Sequence, residues 1–417
     1  MTVLLVNKFH YRKGGSETYY FALAELLRSA GHRVLFFAMQ DVCNEPCEQA
    51  GYFVSNVEYN GPAGALQKLK SAAKLLYSAE ARDRFDALLQ QEQPDLVHLN
   101  LVHRQITLSI LEPCQKRGVP VVFTQHDLIC VCPNYTCLSP DGVCEECLGG
   151  HFAPCVRHKC VKGSAAKSLL AAVEARLYRL RGSYDKIDRY LCPSAFYQTL
   201  LQRCRFTKAP ILHLPNFLPA DTVYEWARPQ RGALLYLGRL TPEKGVATLL
   251  RALAACPGAR LRIAGDGPGR AGLETLAAEL GLGERAKFLG FLRGQALAGE
   301  LHGCRGVVLP SEWYENGPYS VMEALSCGKP VLGSRIGGIP ELVREGETGF
   351  LFPPKDAPAL AGAMQKLLTL PETEYAALCE GCVRFAKERF SAAAHLRALT
   401  GIYEKTIAEK KAGRAKG

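Results

Sequence analysis

A chain of 417 residues exceeds what one hydrophobic core usually serves, so two domains are expected, and 48% hydrophobic with 22% charged residues excludes a disordered or fibrous chain. No apolar run approaches the roughly 18–20 residues of a membrane-spanning helix, the start MTVLLVNKFHYRKGG lacks a signal-peptide plan, and 17 cysteines without such a signal point to a reducing compartment. The net charge of +11 excludes little: nucleic acid, an anionic membrane surface and anionic substrates all stay open.

Residues 2–6 form a short apolar run that stops at Asn7. After the loop KFHYRKGGSE come apolar positions at Phe21, Leu23, Ala24, Leu26 and Leu27, which predicts strand, glycine loop, helix. Gly14 and Gly15 permit close backbone approach, and Ser16 with Thr18 can cap the helix, so the loop is either an anion or sugar contact or a tight turn. The runs HRVLFFAMQ, PDLVHLN and VPVVFTQHD read as buried parallel strands of a doubly wound sheet. Ligands of such sheets gather beyond the strands' carboxyl ends, where Asn7, His98, Asn100, His126 and Asp127 fall. In TQHD the imidazole of His126 belongs to the crevice; the competing reading is a histidine that ties down a loop.

Residues 130–160 are a compact insert with Cys130, Cys132, Cys137, Cys144, Cys147, Cys155 and Cys160. Cys144-x2-Cys147 has chelate spacing, and Cys132 with Cys155 or Cys160 would complete a tetrahedral thiolate site. The insert shows no periodic apolar face, so a structural metal would explain its folding. Zinc on Cys132, Cys144, Cys147 and Cys160 is the expectation, against an iron–sulfur cluster, a disulfide or free thiols. Residues 162–181 predict a helix with Leu169, Leu170, Val173, Leu177 and Leu180 apolar and Lys167, Arg176, Arg179 and Arg181 basic, either an anionic-lipid face or a solvated one. Periodicity is lost near 217–230, the expected boundary.

The second domain opens with ALLYLGRLTPEKGVATLLRAL, where Gly238 lets the backbone come close and Arg239 and Lys244 put two cations on one loop, as a diphosphate requires. GDGPG has the wrong spacing for a dinucleotide fingerprint. In PSEWYENGPYSVMEALSCGKPVLG, Glu315 sits in a Gly/Pro loop and Glu323 one turn into the next helix, whose first turn at Gly317, Pro318, Tyr319 and Ser320 offers backbone N–H groups to an anion. Two carboxylates around an anion site suit a sugar nucleotide. Cys379-x2-Cys382 reads as packing, and KKAGRAKG as a disordered basic tail.

E-x7-E, the following SCGKPVLGSRIGGIPELV and EGETGFLFPP, and G-R-x4-K together resemble the donor-binding half of retaining glycosyltransferases of the GT-B, family 4 type. The resemblance runs over nearly the whole chain, is weakest at residues 41–90, and gives the cysteine-rich insert no role. It implies two Rossmann-like doubly wound domains facing a cleft: 1–218 on the acceptor side, 219–385 for the nucleotide sugar, and 386–417 as a helix crossing back to the first domain with the basic tail. It further implies that Arg239 and Lys244 neutralise the leaving diphosphate, Glu315 holds donor-sugar hydroxyls, Glu323 the ribose diol, His126 the transferred sugar, and residues 290–292 the base through backbone groups. Gly14 and Gly15 would shape the acceptor pocket, and His98 and His103 read as packing or acceptor-side residues.

The resulting expectation is sugar transfer from a nucleotide diphosphate sugar to a glycan or lipid-linked acceptor, with no metal required for catalysis. Polysaccharide or lipid-linked glycan assembly in the cytoplasm or at the inner membrane face, with peripheral association to anionic lipid and no nucleic acid partner, completes it. A nucleotide-sugar epimerase of the same fold and a nucleic-acid or membrane binding module built on the insert are the alternatives.

Overall fold

The computed structural model describes residues 1–56, 72–226 and 232–415; residues 227–231 of the expected boundary and the tail's last two residues lie outside the described residues. The chain forms two compact units, Met1–Asn216 with Ala392–Gly417, and Phe217–Ser391.

The first unit contains the strands β1 (Thr2–Val6), β2 (Arg33–Phe37), β3 (Leu96–Leu99), β4 (Val121–Thr124), the small antiparallel hairpin β5 (Leu138–Ser139) and β6 (Gly142–Val143) of the insert, β7 (Arg189–Cys192) and β8 (Ile211–His213). Its main sheet is wholly parallel, ordered β2-β1-β3-β4-β7-β8. Val6 pairs with both Phe37 and Leu99. Val3, Leu4, Leu5 and Val6 are fully buried, as expected of a strand covered on both faces. In the second unit β9 (Leu234–Leu237), β10 (Leu261–Ala264), β11 (Ala286–Gly290), β12 (Gly306–Leu309), β13 (Val331–Ser334) and β14 (Gly349–Phe352) are parallel and ordered β11-β10-β9-β12-β13-β14. Its core packs Leu234, Tyr236, Ile263 and Val308 against Val246, Leu249 and Leu253 of the helix Val246–Ala254. Strand order reverses between β1 and β3 in one unit and between β9 and β12 in the other. The crevice beyond the carboxyl ends at such a point is where doubly wound sheets bind ligands.

Three local expectations change. The helix Ala165–Leu180 forms, but its buried face is Ser168, Ala171, Ala172, Glu174, Ala175 and Tyr178, while Leu169, Val173 and Leu180 are exposed. Its alanines meet Cys147, Phe152 and Cys155 of the insert in a small core, where small side chains permit close approach. The insert, with no periodic apolar face of its own, is thus held by a core it shares with this helix. The basic tail is not disordered as far as Ala415: the helix Ala392–Ala415 belongs to the first unit. Lys410 Nζ lies 2.8 Å from Asp188 Oδ1, Arg189 is 2.6 Å from Glu409, and Arg414 donates to the Arg117 carbonyl, which fixes it there. Finally, neither Ser16 nor Thr18 caps the helix Gly15–Ser29; Gly14 is its N-cap and the Thr18 hydroxyl donates back to the Gly14 carbonyl.

Candidate active site

In the second unit the loops after β9 and β12 carry the site. Gly245, at φ 69°, lies where a Cβ would come within 1.9 Å of the Pro310 carbonyl oxygen, so only glycine lets the two loops touch. That contact brings Lys244 to Glu315: Nζ and Oε1 are 2.6 Å apart. The same oxygen accepts from the Ser311 hydroxyl at 2.6 Å and the Trp313 indole at 2.9 Å. Burial acts to raise the Glu315 pKa, but the Lys244 charge and the hydrogen bonds from Lys244, Ser311 and Trp313 outweigh it, and the group stays below the ordinary range. Gly337, at φ 58°, closes over the backbone of Glu315, whose carbonyl accepts from the Gly338 N–H at 2.7 Å.

Gly238 and Arg239 follow β9 directly. The Arg239 guanidinium is exposed, with one nitrogen 3.9 Å from Glu243 Oε1, and the Tyr236 hydroxyl donates to its carbonyl. Gly317 and Pro318 end the loop and the helix Tyr319–Ser326 begins on Tyr319 and Ser320, with Pro318 at the N-cap and no side-chain cap. Val321, Met322, Ala324 and Leu325 are buried in its core face, as the periodicity predicts. Glu323, half-buried on the other side, has no side-chain hydrogen bond or ion pair among the described residues, and burial pushes its pKa up to about 7. The two carboxylates are thus in opposite states, one oxygen of Glu315 saturated with donors and Glu323 open.

In the first unit Asn7, Lys8, Asn100, His126 and Asp127 all emerge at the reversal between β1 and β3 or beside it on β4. His126 Nε2 lies 2.9 Å from Asn100 Oδ1, which fixes the proton on Nε2, and burial depresses its pKa to about 3, so the ring is neutral. The Tyr19 ring packs edge-on at 5.2 Å. A cavity of about 180 Å³ is lined by Lys8, Asn100, Arg104, His126, Asp127 and Tyr135, among others. His103 lines it as well, whereas His98 is buried between Tyr403 and Thr124. Gly14 and Gly15 do not line this cavity. Asn100 stands in the crevice as its place at a strand end predicts, whereas Ser311, Trp313 and Lys8 are additions of the structure; of these Lys8 has a legible signal in its place after a strand.

The four cysteines proposed for zinc lie near enough for Cys132, Cys144 and Cys160 each to add to burial in raising the Cys147 pKa, but they do not form a metal-holding group. Among the described residues no group of three or more His, Cys, Asp or Glu is placed to hold an ion, and all cysteines are free. The Cys137 thiol beside Cys132 holds the Cys132 thiol below its usual range, and Cys147 packs with Phe152 and Cys155.

Residues 13–222 match the Glycosyltransferase Family 4 model and residues 227–388 the Glycosyl transferases group 1 model. The chain belongs to glycosyltransferase family 4, and both units have the GT-B type of Rossmann-like sheet. It is 32% identical to the alpha-D-kanosaminyltransferase of Streptomyces kanamyceticus over 177 residues, 42% of this chain and 45% of that one, so the chain spans about half the length of the curated relatives it matches. Among solved structures, sucrose-phosphate synthase from Thermosynechococcus elongatus superposes with a TM-score of 0.71 at 22% identity, over 98% of this chain and 99% of that one. Anabaena HepE in complex with UDP gives 0.67 at 20% identity, over 97% and 100%.

Proposed function

We propose that this chain transfers a sugar from a nucleotide diphosphate sugar to an acceptor hydroxyl with retention, in cell-surface polysaccharide or lipid-linked glycan assembly. The observation that carries the reading is the pairing of Glu315, locked by Lys244, with the open carboxylate of Glu323 one turn into the adjoining helix. Negative charge grows on the departing diphosphate, and Arg239 and Lys244 stabilise it without reorganising. Lys244 has three donors, one of them on Glu315, so it serves carboxylate and phosphate together. Glu315 Oε2 takes hydroxyls of the donor sugar, and Glu323 accepts from the ribose diol. In the first unit neutral His126 presents a polar edge to a sugar hydroxyl.

The solved HepE complex with UDP makes uridine nucleotides the first donors to try. Attachment to the cytoplasmic face of an anionic membrane is part of the proposal. It is supported by exposed Leu169, Val173 and Leu180 beside Lys167, Arg176 and Arg181. No helix among the described residues is long and apolar enough to cross a membrane.

The test is thermal stability against UDP, GDP, ADP and their sugars, then the anomeric configuration of the product by NMR. A nucleotide at about 100 times its dissociation constant adds roughly 2.7 kcal/mol. The proposal expects a shift in the wild type that Arg239→Ala loses; no shift with any of them overturns it, and an inverted product overturns retention.

A further inference from the structure

Lys8 is out of place for a structural lysine. Its backbone N–H is spent on the Leu101 carbonyl at 2.7 Å, which fixes the residue at the end of β1, and its side chain lines the cavity beside His126. Among the described residues its ammonium has no hydrogen bond and no ion pair; the Phe9 ring lies 5.3 Å away, and Asp127 and Glu17 act on it as more distant charges. Asp127 lines the same cavity but does not pair with it within ion-pair distance, and Asp127 Oδ1 accepts from the Ile129 N–H at 3.1 Å. Burial lowers the Lys8 pKa and raises that of Asp127, each against the partial relief of the other's charge.

The second cation of the cavity is held by force of structure. Arg104 sits at φ 72°, a left-handed conformation unfavourable for a side chain of its size. It is kept there by a hydrogen bond from NH2 to the Pro133 carbonyl at 2.6 Å, by Glu174 at 3.6 Å, and by its stack over Tyr135 at 5.7 Å. Pro133 and Tyr135 belong to the cysteine-rich insert, so the insert both walls the cavity and positions its arginine. Lys8 and Arg104 line the cavity against Asp127; Glu174 offsets Arg104 from behind and Glu17 acts on Lys8 from a distance, so Lys8 is the lining cation that no carboxylate pairs within ion-pair distance among the described residues.

We infer that this crevice takes an acceptor bearing an anionic group, phosphate or carboxylate, with Lys8 as the cation that meets it and Arg104 as the second. The inference rests on the transferase reading for the word acceptor, but the anion site is testable without turnover.

The experiment is calorimetric titration of the full chain carrying Arg239→Ala, which removes a diphosphate-side cation of the second unit. The probes are glycerol 3-phosphate, glycerate and neutral glycerol. The expected result is binding of one or both anions but not of glycerol, weakened tenfold or more by Lys8→Met and retained by Lys8→Arg. Far-ultraviolet circular dichroism and thermal unfolding of Lys8→Met check the fold of the first unit, which holds Lys8, and where Lys8→Met does not fold, Lys8→Gln takes its place in the titration. An acylated glycerol 3-phosphate in monomeric form separates sources: binding of the acylated probe alone assigns a lipid headgroup, binding of the soluble one a free phosphate ester. Equal binding of glycerol, no anion binding, or anion binding indifferent to Lys8→Met overturns the inference. Failure of every nucleotide to bind the wild type would instead overturn the transferase reading and leave the Lys8 result standing.

Discussion

Lys244 Nζ and Glu315 Oε1 lie 2.6 Å apart across two loops that only Gly245 allows to touch, and both side chains are largely buried. Such a pair is weak evidence of stability while whole, yet removing one partner strands a buried charge at a cost of about 3–5 kcal/mol. Lys244→Met should therefore lower the denaturation free energy of the second unit by that order at pH 7. Because the folded Glu315 pKa is depressed below its unfolded value, this contribution is present above about pH 4.5 and fades as acid protonates the carboxylate. Urea denaturation of wild type and variant, followed by the tryptophan fluorescence of the second unit from pH 7 down to pH 3, checks it; a loss that does not shrink as pH falls would contradict the charge argument.

Glu323 behaves in the opposite sense. Its folded pKa is raised to about 7, so ionising it costs folding free energy as pH rises from about 4.5 toward 7. Glu323→Gln should stabilise the unliganded protein by about 1–3 kcal/mol at pH 8 and change little near pH 4. The same substitution should weaken donor binding about 10-fold or more, since hydrogen bonds to a charged group contribute about 1.5–3 kcal/mol. Wild-type donor affinity should climb as pH rises through 7, and the variant should be flat; calorimetric titration across pH 6 to 8.5 reads both.

The exposed stripe of Leu169, Val173 and Leu180 makes a third case. Changing Leu169 and Leu180 to Asp removes surface apolar area and should shift stability by no more than about 0.5 kcal/mol. If this face meets anionic lipid, sedimentation with phosphatidylglycerol vesicles should fall sharply in the double variant, while neutral phosphatidylcholine vesicles should bind neither protein. Unchanged sedimentation of the variant would remove the membrane assignment.

Much of the donor loop was legible because its chemistry is local. Glu315, Glu323, Arg239 and Lys244 stand at fixed spacings on strand-loop-helix units whose buried runs announce themselves. That Lys244 would lie on Glu315 was not legible, because the contact depends on a glycine approach between loops 71 residues apart in sequence. The inward face of the helix Ala165–Leu180 is not legible for a similar reason. Periodicity counts leucines, whereas the insert packs on Ala172 and Ala175, and Glu174 turns inward to meet Arg104. The role of Lys8 is not legible in the sequence, because a lysine after a strand is ordinary until the geometry around its ammonium is known.

The first unit should be the acid-labile one. His10, His98, His103, His126 and His395 are held neutral there, with pKa values depressed by burial to about 4, 3, 3, 3 and 4. The unfolded chain takes up protons on these rings below about pH 6.5, the folded unit does not, so stability is present above 6.5 and is lost as pH falls. Each ring contributes up to about 1.4 kcal/mol per pH unit; Glu174, pushed up to about 7 by burial, and Asp127, also raised, act in the opposite sense in the same unit, and the five rings outnumber them. The second unit has His302 as its one histidine and carries both tryptophans of the chain, Trp226 and Trp313. Between pH 6.5 and 5, far-ultraviolet circular dichroism should lose about half its helical signal while tryptophan fluorescence stays native. A fluorescence change that coincides with the loss of dichroism would show that buried histidines do not set the acid limit of this protein.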